Sequence, residues 1–198
     1  MLGSMPRSAD ATRRRILDAA YSQFYRKGFG RVGVDEIAAA AKVTKRTLYY
    51  HFESKDDLLA AVLDAQHALA LATFRRWTEK LKGNANQIVD AIFDDLAKWS
   101  TKPRWTGSGF TRLAMELADM PGHPARTAAR KHKRLVEEEL ADVLRKAGVA
   151  SSEKRAREIS LLLEGTTSLI LIHGDRQYAD AAAAAAKTLL KTPVGRNQ

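Results

Sequence analysis

Lys45, Arg46, Thr47, Tyr49 and Tyr50 crowd into one short stretch of this 198-residue chain. Their side chains suit contact with a duplex. Ammonium and guanidinium groups donate to phosphate oxygens or to guanine O6 and N7, and a threonine methyl or a tyrosine ring can meet a thymine methyl. Leu48 and Phe52, four residues apart, would form an inward ridge if the stretch is helical, leaving the cationic and phenolic groups on the opposite face. A basic pair taken alone reads better as a solvated face. The surrounding elements have to decide.

Those elements read as short helices. Thr44 is an N-cap for a helix from Lys45 to about Phe52. Before it, a helix from about Val34 to Ala41 turns Val34, Ile37, Ala38 and Ala41 inward and carries Asp35 and Glu36 in its first turn, where the positive helix end favours acids. The turn Lys42–Val43 joins the two. A longer helix, about Thr12 to Lys27, repeats Ile16, Ala20 and Phe24 on one stripe, and Gly28 follows as its C′ residue. Ser54 caps the next helix, with Asp56 and Asp57 in its first turn. Two short helices with a tight turn, the second opening on a basic pair, match a helix-turn-helix.

Charge supports a polyanionic partner. The net charge is +10, and residues 1–55 carry 11 Lys+Arg against 5 Asp+Glu, so more than half of the excess lies in little over a quarter of the chain. Charge alone does not separate nucleic acid from an acidic membrane. There is no cysteine, which removes disulfide and thiolate chemistry and suits a reducing cytosol. No apolar run approaches the roughly 20 residues that span a bilayer, and the first residues lack a signal-peptide core, so a cytoplasmic location without membrane attachment is expected.

The string VDEIAAAAKVTKRTLYYHFESKDDLLAAVL at 34–63, preceded by FYRKGF, resembles the DNA-binding domain of the tetracycline-repressor (TetR) family over about residues 12–63. The resemblance implies that Lys45, Arg46, Thr47 and Tyr49 address bases or nearby phosphates, and that Thr44, Tyr50, His51 and Lys55 hold the DNA backbone. His51 could equally tie its helix to the next. Arg13, Arg14 and Arg15 either track phosphates or form a solvated arm. Three positions depart from the family pattern. Gly33 stands where a capping Ser or Thr is usual, Lys42 replaces a turn glycine, and Arg46 replaces a small residue, which suggests a contact particular to this chain.

Glycine and proline divide the rest into helices at about 55–82, 86–100, 109–120, 124–147, 152–173 and 178–191, with no alternation of strand type, so the chain reads as all-α. The expected organisation is a three-helix DNA-binding domain at 10–55 and a helical ligand-binding and dimerisation domain at 56–198. The segment 159–173 is apolar on more than one face and must be covered on more than one side. Ile159, Leu162, Leu163, Thr166 and Ile170, with Ala182 and Ala186 of the alanine-rich last helix, are the expected homodimer interface. Candidates for contact with a small apolar or aromatic effector are Phe74, Trp77, Phe93, Trp99, Phe110, Met115, Thr166 and His173, set against a plain-core reading for each aromatic.

No phosphate-binding glycine loop, nucleophile elbow or metal-ligand spacing is present, so no catalytic residue, metal or cofactor is expected. Glu116, His123 and His132 share no compact ligand spacing and read as surface or capping groups. The expected function is a ligand-responsive repressor released from a palindromic operator. An enzyme, a non-specific nucleic-acid binder and an activator are the readings it competes with.

Overall fold

The computed structural model describes residues 5–79 and 83–192. Among these residues there are nine helices and no strand: α1 (Met5–Lys27), α2 (Val34–Ala40), α3 (Lys45–His51), α4 (Lys55–Thr78), α5 (Ala85–Ser100), α6 (Gly109–Glu116), α7 (Pro124–Lys146), α8 (Ser152–His173) and α9 (Gln177–Lys191). The fold is all-α.

The helix ends follow local chemistry. Thr44 is extended and its hydroxyl accepts from the Thr47 amide at 3.0 Å, so the N-cap of α3 lies where the sequence places it. Ser54 accepts from the Asp57 amide at 3.0 Å while Asp57 accepts from the Glu53 amide at 3.2 Å, pinning the start of α4. Asn84 and Gln87 form a reciprocal capping box at the start of α5. Two boundaries differ from expectation. α1 begins at Met5, well before Thr12. α6 stops at Glu116 because the next residues tighten into i→i+3 bonds, Ala118 to Met115 and Met120 to Leu117, ahead of Pro121.

The chain packs as two compact units: residues up to 69 together with 109–132, and residues 70–108 together with 133 onward. The packing therefore does not divide at the expected 55/56 junction, because 109–132 is built into the first unit. That unit's core joins Ile16, Ala20 and Phe24 of α1, Ile37 and Ala38 of α2, Leu48 of α3 and Leu58, Leu59, Val62 and Leu63 of α4 to Phe110 and Leu113 of α6, Leu117, and Ala125 and Ala129 of α7. The second unit packs Ile88, Val89, Ile92, Phe93 and Leu96 of α5 against Leu140 and Leu144 of α7, Ile159 and Ile170 of α8, and Ala179, Ala182, Ala183 and Ala186 of α9. Alanines on α9 let α5 and α8 lie close to it.

By length and composition alone, α4 over 55–76 is apolar enough to cross a membrane. Its Leu58, Leu59, Val62 and Leu63 are instead spent in the first unit's core.

The residues expected at a dimer face are mostly enclosed within the chain itself. Ile159, Thr166, Ile170, Ala182 and Ala186 are all buried within the single chain, and Leu162 and Leu163 pack against the same cluster. α8 turns its broader apolar stripe inward toward α5 and α9. The large apolar residues of α8 left exposed are Leu161 and Ile172, at 69% and 70%, with Leu169 and Leu171 less so.

Candidate nucleic-acid interface

α3 is only seven residues long, so its placement depends on what holds it down. Leu48 and Phe52 do so, at 0% and 2% exposure. Burying such a side chain contributes about 1.5–3 kcal/mol, ample to fix the facing of one short helix. The Arg13 guanidinium lies 5.0 Å over the Phe52 ring, adding a link from α1 to the end of α3. With Leu48 inward, Lys45, Arg46, Tyr49 and Tyr50 are exposed on the opposite face, Tyr50 at 84%.

The expected DNA-contacting residues all belong to the first unit and are held in different ways. Lys45 pairs with Asp35 of α2 at 3.0 Å. Thr44 and Thr47 share a hydroxyl–hydroxyl hydrogen bond at 2.8 Å, so both are oriented by the cap. His51 is half-buried, its ring edge-on to that of Tyr50 at 5.3 Å and tilted against that of Phe52 at 6.5 Å, both chain neighbours. Lys55 holds its ammonium 4.1 Å over the Phe29 ring. Burial pushes its pKa down, and the carboxylates of Asp56 and Glu116 oppose that shift.

The departures from the family pattern have visible geometry. Gly33 caps α2 in an extended conformation without a side-chain bond. Lys42 takes φ 56°, the left-handed conformation that costs a non-glycine residue about 1 kcal/mol.

The effector candidates are drawn from both units. Phe110 and Met115 belong to the first unit, where Phe110 stacks on His132 at 3.8 Å between centroids and Met115 is 67% exposed. Phe74, Phe93, Trp99, Thr166 and His173 belong to the second. Phe93 and Thr166 are core there, Trp99 meets Trp105 edge-on at 5.4 Å, and His173 stacks on Tyr178 at the exposed end of α8. The Trp77 side chain lies outside the described residues. A cleft of about 590 Å³ opens between α1 and α4, and none of these candidates lines it.

Among the described residues no group of three or more His, Cys, Asp or Glu could hold a metal ion. His123 instead accepts the Ala125 amide at 3.1 Å, capping α7, and buried His132 meets His67 through their Nδ1 atoms at 2.8 Å. Sequence reasoning missed the Asp35–Lys45 pair, although both residues lie in the motif, and it missed the hold of α6 on the first unit, for which no local signal exists.

A three-helix head presenting a cationic, tyrosine-bearing helix opposite a buried Leu–Phe ridge has the geometry of a helix-turn-helix. The family model described as "Bacterial regulatory proteins, tetR family" matches residues 16–62. The regulator TtgR of Pseudomonas putida is 41% identical over 59 residues, which span 30% of this chain but only 28% of that protein. UidR of Escherichia coli is 27% identical over 176 residues, covering 86% of this chain and 85% of that one. The crystal structure of SCO4454, a TetR-family regulator from Streptomyces coelicolor, superposes with a TM-score of 0.79 at 25% identity, over 92% of this chain and 95% of its own. Residues 16–62 thus match the DNA-binding part of TetR-family regulators, and over nearly its whole length the chain is similar to proteins described as transcriptional regulators.

Proposed function

We propose that this protein is a cytoplasmic, homodimeric repressor that holds a palindromic operator through α3 and leaves it when a small apolar or aromatic effector binds. In this reading residues 10–55 carry the DNA contacts and 56–198 carry effector binding and dimerisation. The observation that carries the reading is the exposed face of α3, Lys45, Arg46, Tyr49 and Tyr50, fixed by the burial of Leu48 and Phe52. Phosphate contacts from Thr44, Lys55 and the first turn of α3 would set register, and Lys45, Arg46 and Thr47 would meet base edges.

Two copies are needed because one small head reads few bases, whereas a two-fold dimer reads two half-sites together. The outward face of α8 supports that assembly. Leu161, Gly165, Leu169 and Ile172 follow helical spacing on one side, and no atom lies within 4 Å of a Cβ built at Gly165. A second α8 could approach closely there, with Ala181, Ala184 and Ala185 of α9 exposed as small neighbours. The effector is proposed to meet the half-buried rings of Phe74 and Trp99 in the second unit.

Selection of bound duplexes from random DNA tests the reading. The expected product is an inverted repeat whose half-site centres lie about one helical turn, roughly 10 base pairs, or a multiple apart. Salt-sensitive binding with no enriched sequence would overturn it in favour of a non-specific binder. Thermal shift against a ligand library, followed by release of the selected duplex, tests the effector.

A further inference from the structure

The junction between α1 and α2 is gripped by two side chains from a distant helix. Glu116, the last residue of α6, accepts the Phe29 amide at 3.0 Å through Oε2 and the Gly30 amide at 2.6 Å through Oε1. One turn earlier on α6, Arg112 donates to the Tyr25 carbonyl at 3.0 Å. The polarities match their targets: the cation takes a carbonyl of the closing turn of α1, and the anion takes the amides that follow it. A carboxylate beside a helix C-terminus is unfavourable unless specific donors hold it there, and here two amides do. The loop is shaped to admit it. Gly28 has φ 87°, and a Cβ on it would stand 3.2 Å from the Glu116 carboxylate.

Phe29, whose amide Glu116 holds, is itself buried and lies beneath the Lys55 ammonium and edge-on to His123 at 5.7 Å. Val32, at 1% exposure, closes the loop on the same core, and α2 starts two residues later. α3 in turn leans on α2 through the Lys45–Asp35 pair and the shared core of Ile37, Ala38 and Leu48.

We propose that Arg112 and Glu116 are positioning residues for DNA recognition: α6 clamps the α1–α2 junction and thereby sets where α2 and α3 lie. The proposal rests on the reading of α3 as the DNA-reading helix, and goes beyond it by assigning control of that helix to two residues that touch no DNA. A role in fold stability alone would lower all activities together with the folded fraction. A clamp changes the presentation of α3 while the protein remains folded.

The test uses the full chain and Glu116→Ala, Glu116→Gln and Arg112→Ala, each held at a temperature where it is folded. Without DNA, amides of 29–37 and 45–51 should exchange about tenfold faster in Glu116→Ala, with α5, α8 and α9 unchanged. Glu116→Gln, which keeps one acceptor, should fall between. On the duplex selected by the unaltered protein, Glu116→Ala should bind about tenfold more weakly, the worth of a charged hydrogen bond, while affinity for a scrambled duplex of equal length is retained. Unchanged exchange in 45–51, or equal losses on both duplexes, would overturn the clamp. If the unaltered protein selects no sequence, the DNA reading fails, and the exchange measurement decides the clamp by itself.

Discussion

Lys45 opens α3 with its Nζ 3.0 Å from Oδ2 of Asp35 on α2. A cation expected to meet DNA is thus held by a carboxylate on the same exposed face, with the Asp35 side chain 76% exposed. Exposed pairs of this kind are worth about 0–1 kcal/mol, so the pair can open on contact with phosphate or remain and aim the lysine. Asp35 also repels a polyanion. Asp35→Asn should tighten binding to any duplex and steepen the dependence on log salt by about one unit, while narrowing the gap between selected and scrambled sequences. Fluorescence anisotropy across a salt series measures both, and an unaltered slope would show that Asp35 does not face the DNA.

Arg46 is exposed beside Lys45, at a position where the family pattern has a small residue. If it reads a base, Arg46→Ala should cost about 1–3 kcal/mol on the selected duplex and relax preference at one position of each half-site. A repeat of the selection with the variant reports this. Loss of affinity without any change in sequence preference would reduce Arg46 to a phosphate contact.

Lys55 carries a pH dependence whose two signs differ. Burial lowers its pKa, the charge of Asp56 and Glu116 opposing, so in the folded protein it loses its proton at lower pH than an ordinary lysine. A phosphate contact needs that proton, so operator affinity should decline as pH rises, beginning below the ordinary lysine range near about 10.4. Its contribution to stability runs the other way. The unfolded chain binds the proton more tightly, so stability from this group rises with pH between the folded and unfolded pKa values. Lys55→Arg keeps the charge throughout and should flatten the alkaline fall in affinity; a fall of unchanged shape would mean that other groups cause it.

Gly33 and Lys42 are unusual in opposite ways, and their exchange should have unequal results. Gly33 is extended at φ −83° and ψ 155°, and nothing lies within 4 Å of an added Cβ. Gly33→Ser would supply a hydroxyl for an amide of α2 and restrict the unfolded chain, raising stability by about 0.5–1 kcal/mol. Lys42→Gly relieves about 1 kcal/mol of left-handed strain but frees the unfolded chain by about 0.4–1 kcal/mol, leaving little net change. Urea titration distinguishes the two.

Leu161 and Ile159 sit on opposite sides of α8. If the protein is the proposed dimer, Leu161→Asp, which places a charge on the outward face of α8, should convert it to monomer with the protomer fold intact, as read by sedimentation and circular dichroism. Ile159→Val should cost about 0.5–1.5 kcal/mol in stability and leave assembly unchanged. A Leu161→Asp protein that remains dimeric would place the interface elsewhere.

The periodicity of α1, the cap at Thr44 and the inward pair Leu48–Phe52 were legible because each is written within a few residues. Apolar periodicity on α8 was also legible, but a helix with two apolar faces does not say which one meets its own chain. The wider stripe through Ile159 and Ile170 meets α5 and α9 within the chain, which leaves the Leu161 side of α8 exposed. The grip of Glu116 on Phe29 and Gly30 joins residues 87 and 86 positions apart, beyond the reach of any local pattern. The aromatic effector candidates are large and apolar, a property shared with ordinary core, and Phe93 is core.

Residues 109–132 complete the packing of the unit that holds α3, through Phe110, Leu113, Leu117, Ala125 and Ala129. The reading head is therefore a discontinuous object. A fragment cut after α3, or after residue 69, would bare the side chains that this later segment covers and leave the Phe29 and Gly30 amides to water. Chimaeras intended to lend this protein's operator preference to another regulator would have to transplant both pieces of chain together.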